Sequence, residues 1–275
     1  MWGRHEPDIE LKTPAQFAGM RAAGLVVAAA LRAAAAAAAP GVSTADLDGV
    51  AREVIAAAGA LPSFLGYHGY PATICTSVND EIVHGIPAAD RRLRDGDLLS
   101  IDCGAIVDGW HADAALSLGI GELPAGQARL LQVCEQAMWR GLAQARPGAR
   151  LTDISHAVEQ AVRAAGPGYG IVEDYVGHFI GSEMHMEPPV HNQGRPGRGP
   201  VLAAGMALAV EPLLTAGSPE TELDADGWTV RSADGGRAAH FEHTVAITAD
   251  GPWVLTAADG GTAGFARFAD PRTAA

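Results

Sequence analysis

Positive charge is scarce in this sequence. Its 275 residues include 19 lysines and arginines against 32 aspartates and glutamates, for a net charge of -13, and Lys12 is the only lysine. Nucleic-acid binding needs clustered basic residues that displace counterions from phosphates, and the sequence contains no such cluster. Direct nucleic-acid binding is therefore not expected, and one lysine near the N-terminus nearly excludes Schiff-base chemistry.

Cysteines and strongly apolar runs are also few. Cys75, Cys103 and Cys134 are too scattered for a disulfide framework and form no Cys-x-x-Cys pair, which favours a reducing cytoplasm. The Ala-rich run 22–39 is only weakly apolar and has Arg32 in its middle, so we expect a long packed helix rather than a membrane span. The N-terminal residues lack the apolar core of a signal peptide.

Several familiar catalytic patterns are missing as well. The sequence has no Gly-x-Ser-x-Gly elbow and no His-Glu-x-x-His helix. The glycine-rich segment 166–170 contains a proline and is followed by no helical pattern, so it is interpreted as a turn rather than a phosphate loop. Hydrolase chemistry, if present, must come from another arrangement.

A β-hairpin is predicted around Asp108-Gly109, because this dipeptide supplies the left-handed backbone of a two-residue turn between apolar strands. The register then places Gly104 opposite Asp113, and Asp102 shares the face of Asp113. The two carboxylates would lie roughly 5 to 8 Å apart. Like charges so close on largely apolar strands call for cations.

The remaining elements indicate a duplicated unit. We expect helices over about 14–39, 44–58, 125–145 and 152–165, and strands over 72–77, 98–118, 206–214, 228–231 and 241–247, with a loop over 61–70. Pro-Gly, Asp and Ala-Ala-Gly recur after a shift of 107 residues, at 40–59 and at 147–166. Chance similarity of Ala-rich helices is the alternative, but an acid pair in each half favours a duplicated α+β unit with a pseudo-twofold site.

The acid pair of the second half is Glu211 and Glu242, each inside an apolar strand pattern. A single acid of this kind is usually solvent-facing, but four carboxylates in one interior need compensating charge, which two divalent metal ions would supply. Three further side chains, His84, His178 and His185, stand in turn-rich segments beside or near glycines. By contrast, strand alternation predicts that His240 and His243 face away from Glu242.

These motifs together resemble the type I methionine aminopeptidases. The resemblance rests on Tyr-His-Gly-Tyr-Pro at 67–71, Asn79 to Pro87, Asp102 with Asp113, Gly-His at 177–178 with His185, Glu211-Pro, and Glu242-His-Thr, and it covers about residues 11–255. It implies one catalytic domain over residues 1–275, with 256–275 as a C-terminal tail. The implied fold is the mixed α+β "pita-bread" fold, a curved antiparallel sheet flanked by two pairs of helices.

The resemblance also implies the chemistry of the site. Asp102, Asp113, His178, Glu211 and Glu242 would bind two divalent ions, cobalt, manganese or iron, with Asp113 and Glu242 bridging. Water held between the ions would attack the scissile carbonyl, Glu211 would move its proton, His84 would contact the amide nitrogen and His185 the carbonyl oxygen. The methionine pocket would be lined by Tyr67, Tyr70, Cys75, Met184 and Trp228.

The implied function is removal of the N-terminal methionine from nascent proteins and peptides whose second residue is small. The expected partners are peptide and nascent-chain N-termini, with the ribosome as a docking candidate, no membrane, and a monomeric state. Two alternatives stay open: a proline-specific dipeptidase or X-Pro aminopeptidase of the same fold, and a binding module that keeps the fold without catalysis.

Overall fold

The protein is described from a computed structural model that covers residues 8–268. Its helices are α1 (Pro14–Ala37), α2 (Thr44–Ala57), α3 (Ala125–Leu142), α4 (Leu151–Ala164) and α5 (Thr262–Phe268). Its strands are β1 (Leu61–Pro62), β2 (Ile74–Val78), β3 (Glu81–Val83), β4 (Leu98–Val107), β5 (Trp110–Gly119), β6 (Gly170–Ile171), β7 (Gly177–Phe179), β8 (Met186–Val190), β9 (Ala207–Val210), β10 (Leu213–Thr215), β11 (Thr221–Leu223), β12 (Val230–Ser232), β13 (Ala238–His240), β14 (Glu242–Thr248) and β15 (Gly251–Val254). The expected tail at 256–275 contains α5, and its final part, 269–275, lies outside the described residues.

Helix α1 begins where the sequence predicts. Thr13 and Gln16 form a reciprocal capping box, and Pro14 occupies the first turn, where its missing N–H has no intrahelical partner to lose. By length and composition this helix could cross a membrane. Its side chains Ala23, Val27 and Leu31, however, are buried in one apolar cluster with α2 and with strands β4 and β5. The expectation of a long helix packed on a domain is confirmed.

The predicted duplication is visible in the way the second helix of each pair begins. Helices α2 and α4 each contain 14 residues, and their first residues are 107 positions apart. Before them, Gly41 and Gly148 adopt left-handed backbones, with φ of 91° and 88°. The Gly41 N–H donates to the carbonyl of Leu93 at 2.8 Å, and the Gly148 N–H donates to that of Leu202 at 2.9 Å. The two halves therefore repeat the same local geometry.

One antiparallel sheet of nine strands joins the two halves. Its main path runs β1-β4-β5-β14-β9-β7-β8, with β2 paired to β4 and β15 to β14. The hairpin has the predicted register: Val107 pairs with Trp110 and Gly104 with Asp113. The turn consists of Asp108, with φ of 48°, and Gly109, with φ of 80°. Both values suit the left-handed turn that matches strand twist.

The two faces of this sheet have different neighbours. On one face, Ile101, Cys103 and Ala114 are buried with helices α1 and α2, and Leu208 and Val245 are buried in the cluster that includes α3 and α4. Two further small sheets, β13-β10-β6 and β11-β12-β3, are separate from the nine-stranded sheet. The predicted curved antiparallel sheet with two flanking helix pairs is confirmed, and the face away from the helices is left to form a site.

Three predicted elements differ in detail. The strand predicted over 206–214 is divided into β9 and β10 around Glu211 and Pro212, because proline has no N–H to donate to a ladder. The strand predicted over 228–231 begins only at Val230, so Trp228 precedes it. Within the predicted loop 61–70, the structure has the short strand β1 and a 3₁₀ turn at Tyr67–Gly69.

Two helical glycines provide a test of this packing. A Cβ at Gly24 of α1 would overlap the backbone carbonyl of Leu255, whereas a Cβ at Gly49 of α2 would meet only the far end of the Arg52 side chain. We expect Gly24→Ala to lower the free energy of unfolding by about 1–3 kcal/mol. Gly49→Ala should raise it by roughly 0.5–1 kcal/mol, because alanine loses less backbone entropy in a helix. Urea unfolding of both variants measures the change in the free energy of unfolding. Changes of the same sign in the two variants would contradict the close contact described for Gly24.

Candidate metal centre

Strand register brings the first three predicted acids together. Asp102 of β4 lies opposite Ala115 of β5, and Ala115 lies opposite Glu242 of β14. Residues directly opposed across antiparallel strands share a face, and Asp113 shares it too because it is two residues from Ala115. Three neighbouring strands therefore each present one carboxylate on the face that the helices leave free.

The same geometry adds a fourth acid and a histidine. Val210, at the end of β9, pairs with His243, so Glu211 follows at the position that faces Glu242. On the next strand, Phe179 of β7 pairs with Leu208, which places His178 on the same face as Glu211. All five predicted metal ligands thus come from five consecutive strands of one sheet, and the structure brings them together.

These carboxylates are buried without enough hydrogen-bond partners. Asp102, Asp113 and Glu242 are 8%, 3% and 2% exposed, and one oxygen of each has no hydrogen-bond partner in the described structure. The described residues that line the adjoining cavity include neither lysine nor arginine. A buried carboxylate without a partner is costly, so this cluster needs a cation.

Burial and mutual repulsion both oppose ionisation of the acids. Burial, and then the neighbouring carboxylates, raise the pKa of Asp102 and Glu242 well above the usual range, and burial with Asp113 does the same for the pKa of Glu211. Burial raises the pKa of Asp113 to about 7. A divalent cation among these oxygens would reverse this preference, because it favours the charged form of each group.

His178 has the protonation state that a metal ligand requires. Its Nδ1 lies 3.0 Å from the backbone carbonyl of Phe179, an acceptor only, so Nδ1 carries the proton and Nε2 has a free lone pair. Nε2 lies 3.6 Å from Oε1 of Glu211 and 4.0 Å from Oε1 of Glu242. Burial lowers the pKa of His178 to about 3 and so keeps the ring neutral. The donor set of carboxylates and imidazole fits a divalent ion such as manganese, iron or cobalt.

His240 does not lie where the sequence analysis expected it. The expectation that it faces away from Glu242 is wrong: its Nε2 lies 3.9 Å from Oε2 of Glu242 and 3.7 Å from Oε2 of Glu211. Residues two apart on an extended chain share a face, and His240 precedes Glu242 by two positions. That spacing was a signal in the sequence. The side chain is 1% exposed, and Nε2 has no hydrogen-bond partner among the described residues.

His243 lies on the other face, as expected. Its Nδ1 is 2.8 Å from the hydroxyl oxygen of Thr256, and its ring packs edge-on against Trp139 of α3. It therefore belongs to the packing between sheet and helices rather than to the cluster of acids.

A cavity of about 280 Å³ opens beside the acids. The predicted pocket residues all line it, namely Tyr67, Tyr70, Cys75, Met184 and Trp228, and so do His84 and His185. Phe64, His68 and Val83 also line the cavity, although they were not among the predicted pocket residues. Phe64 and His68 belong to the aromatic-rich loop that supplies Tyr67 and Tyr70, and that clustering was the available signal.

Two contacts define the polar rim of this cavity. The Nδ1 atom of His185 lies 2.8 Å from the hydroxyl oxygen of Tyr67. His84 has a left-handed backbone, with φ of 59°, and its ring packs edge-on against Tyr175 and near Trp228. Burial lowers the pKa of both imidazoles to about 4, so both are neutral near pH 7.

Comparison with known proteins gives consistent matches. The profile of metallopeptidase family M24 matches residues 18–249. Methionine aminopeptidase 1 of Mycobacterium tuberculosis is 55% identical over 241 residues, which cover 86% of this chain and 91% of that protein. The crystal structure of methionine aminopeptidase from Thermotoga maritima is 38% identical, with a TM-score of 0.88, and the match covers 90% of this chain and 99% of that one.

A more distant structure shows the fold alone. Prolidase from Pyrococcus furiosus is 21% identical with a TM-score of 0.72. The match covers 90% of this chain but only 65% of the prolidase chain. The "pita-bread" architecture expected from the resemblance is therefore confirmed by structures of both kinds.

The raised pKa of Asp113 gives a pH-dependent prediction for the metal-free protein. Folded Asp113 keeps its proton up to about pH 7, whereas the unfolded chain loses it near 3.8. The protonated Asp113 side chain therefore stabilises the folded state at low pH, and this stabilisation is lost as the pH rises from about 3.8 to about 7. Asn cannot ionise and so does not lose this contribution. Between about pH 5 and about pH 8, the free energy of unfolding of Asp113→Asn should therefore rise by roughly 2–4 kcal/mol relative to that of the wild type.

Urea unfolding of both proteins in the presence of a chelator measures this difference. The histidines titrate in both proteins, so their effect largely cancels. Saturating Mn²⁺ should reverse the order and make the wild type the more stable protein, because the ion stabilises the state that binds it. A difference that does not depend on pH would contradict the raised pKa.

Proposed function

Because the chain belongs to metallopeptidase family M24 and to its methionine aminopeptidases, we propose that it removes N-terminal methionine from polypeptides whose second residue is small. The observation that carries this proposal is the position of the acid cluster in the wall of a half-open, mostly apolar cavity. The cavity would hold the methionine side chain, and the acids would lie beside the scissile bond.

Asp102, Asp113, His178, Glu211 and Glu242 would hold two divalent ions, cobalt, manganese or iron. Four carboxylates carry four negative charges, which two such ions balance. When bound, the ions polarise the scissile carbonyl and make water a nucleophile near neutral pH. The unpartnered oxygens of Asp102, Asp113 and Glu242 and the free lone pair of His178 support this assignment.

Glu211 is the proposed proton carrier. Burial beside Asp113 raises the pKa of its carboxyl in the metal-free protein, and carboxylates commonly carry protons in catalysis. It is less enclosed than Glu242, with 13% of its side chain exposed against 2%, and it lines the cavity. It can therefore take a proton from the attacking water and return it to the leaving amine.

His185 and His84 would act on the two atoms of the scissile amide. Burial raises the pKa of Tyr67, which keeps its phenol protonated, and the phenol can then donate to Nδ1 of His185. This leaves the proton of His185 on Nε2, from where it would stabilise negative charge on the carbonyl oxygen. His84, on the opposite rim beside Trp228, would contact the amide nitrogen.

The methionine side chain would pack against Tyr70, Cys75, Met184 and Trp228. The hydroxyl of Tyr70 lies 3.1 Å from each of the carbonyls of Ile74 and Gly85, so the ring can present its apolar surface to the cavity. Burial raises the pKa of Cys75 and keeps the thiol neutral. Thioether sulfur packs well on aromatic edges, which suits methionine.

A proline-specific peptidase of the same fold is the alternative. The prolidase neighbour is a longer chain, of which this protein matches 65%. The similar methionine aminopeptidases, by contrast, are covered to 91% and 99% of their length. A peptide whose first residue is not methionine and whose second residue is proline distinguishes the two activities, because only the proline-specific peptidase should cleave it.

We also propose the biological setting that the resemblance implies. The substrates would be N-termini of peptides and nascent chains in the cytoplasm, the protein would act as a monomer, and the ribosome would be its docking partner. The acidic composition and the three free, buried cysteines are compatible with this setting.

Peptide hydrolysis tests the proposed function. Thoroughly chelated protein should be inactive, and adding manganese, iron or cobalt should restore cleavage of Met-Ala-Ser. Met-Trp-Ser should be cleaved at least about 100-fold more slowly, because a large second residue does not fit between His84 and His185. Released methionine is the readout, and activity that survives chelation would exclude a metallopeptidase.

A matched pair of variants tests the assignment of ligands. We expect Asp113→Asn to lower kcat/KM by roughly 1000-fold, because it removes a charged ligand from the centre. His243→Asn changes a neighbour of Glu242 that faces the helices, and its loss should stay within about tenfold. Equal losses in the two variants would show that the ligands are wrongly assigned.

A further inference from the structure

A second cavity, of about 660 Å³, borders the one that holds the acid cluster. Tyr67 and Met184 line both cavities. These two side chains therefore form a shared wall, and His185, which contacts Tyr67, stands exposed at this boundary. We call the second cavity the outer groove.

The outer groove has an apolar floor that water reaches. Leu61 and Leu65 line it and are 64% and 51% exposed. Leu61 is paired across β1 and β4 with Ile106, which lines the same groove. Single exposed leucines are ordinary, but three aliphatic side chains grouped in one concave surface indicate binding.

The polar part of the groove is small and carries no positive charge. Ser63 and His111 contact each other, with the serine hydroxyl oxygen 3.1 Å from Nδ1. Ser182 and Glu183 lie at its edge, and the described lining residues include neither lysine nor arginine. The groove therefore suits an uncharged, partly apolar ligand better than an anionic one.

A polypeptide substrate needs such a path outside the inner cavity. In the proposed function only its first residue enters that cavity and the scissile bond would lie beside the acids. The rest of the chain would then continue outward, and the outer groove begins at Tyr67, which lines both cavities. An extended chain advances about 3.3–3.6 Å per residue. The third residue and those that follow it therefore reach the surface where the outer groove begins.

We propose that the outer groove binds the substrate chain from its third residue onward and favours apolar side chains there. The inference rests on the proposed function and extends it from the first two residues to the downstream chain. Its basis is that Tyr67 and Met184 line both cavities, so that the groove lies directly beside the inner cavity. Apolar side chains that leave water on Leu61 and Leu65 supply the binding free energy.

Two hexapeptides of equal length test the proposal, Met-Ala-Ser-Leu-Leu-Ser and Met-Ala-Ser-Ser-Ser-Ser. On the metal-loaded protein, we expect kcat/KM to be about fivefold higher for the leucine peptide, as partial burial of one leucine-sized side chain would give. Equal values for the two peptides would overturn the proposal while leaving the aminopeptidase activity in place. Cleavage of neither peptide would instead refute the proposed function.

Variants then place the preference in the groove. Leu61→Ser and Leu65→Ser should each bring the ratio of the two kcat/KM values close to one, and measuring both peptides on one variant cancels any loss of folded protein. The matched control is Val201→Ser, which changes an aliphatic residue that is 46% exposed and lines neither cavity. This variant should keep the fivefold ratio.

A second copy of the chain is the other possible occupant of the outer groove. Sedimentation of the wild type and the leucine variants distinguishes this case from binding of the substrate chain. A monomer at all concentrations, with the ratio lost in both leucine variants, supports the proposal. A dimer that dissociates in Leu61→Ser and Leu65→Ser would overturn it, because the groove would then be covered by the partner copy. A ratio that survives both substitutions would overturn it as well.

Discussion

Four carboxylates gathered on one buried face of a sheet are the constraint on which the rest of the structure depends. Burial raises the pKa values of all four, and repulsion between carboxylates adds to this for Asp102, Glu211 and Glu242. Within the described structure, Asp102, Asp113 and Glu242 each have an oxygen without a hydrogen-bond partner. Such a cluster is stable only if cations balance it or protons neutralise it. The chain supplies no lysine or arginine there among the described lining residues, so the centre is built for metal.

The duplicated helix pairs allow this cluster to exist. By packing on one face of the sheet, α1, α2, α3 and α4 supply the apolar burial that offsets the cost of a charged interior. Strand alternation then separates the two environments within single strands. Cys103 and His243 face the helices, whereas their neighbours Asp102 and Glu242 face the centre.

The opposite face is enclosed by segments with little regular structure. The loop at 61–70, together with Met184 and Trp228 from two other irregular segments, carries the aromatic and thioether side chains that close the cavity and form its shared wall with the outer groove. Close approach is required here: a Cβ at Gly104 would lie 2.8 Å from Cβ of Ser63 and 2.9 Å from the ring of Phe64. The acid cluster and the cavity wall thus come from different kinds of structure.

The sequence alone predicted the hairpin register and the duplication, because both follow from local rules: a two-residue turn, helix boundary signals and repeated motifs. The five proposed ligands came from the resemblance, and strand alternation accounted only for the shared face of Asp102 and Asp113. The spacing of His240 and Glu242 was also present in the sequence and was misread. The cavity contacts of Phe64 and Val83 could not be predicted, because they depend on segments that are far apart in the chain. Only the tertiary structure decided which oxygens lack partners and how far the cavity extends, since both depend on the packing of side chains from segments far apart in the chain.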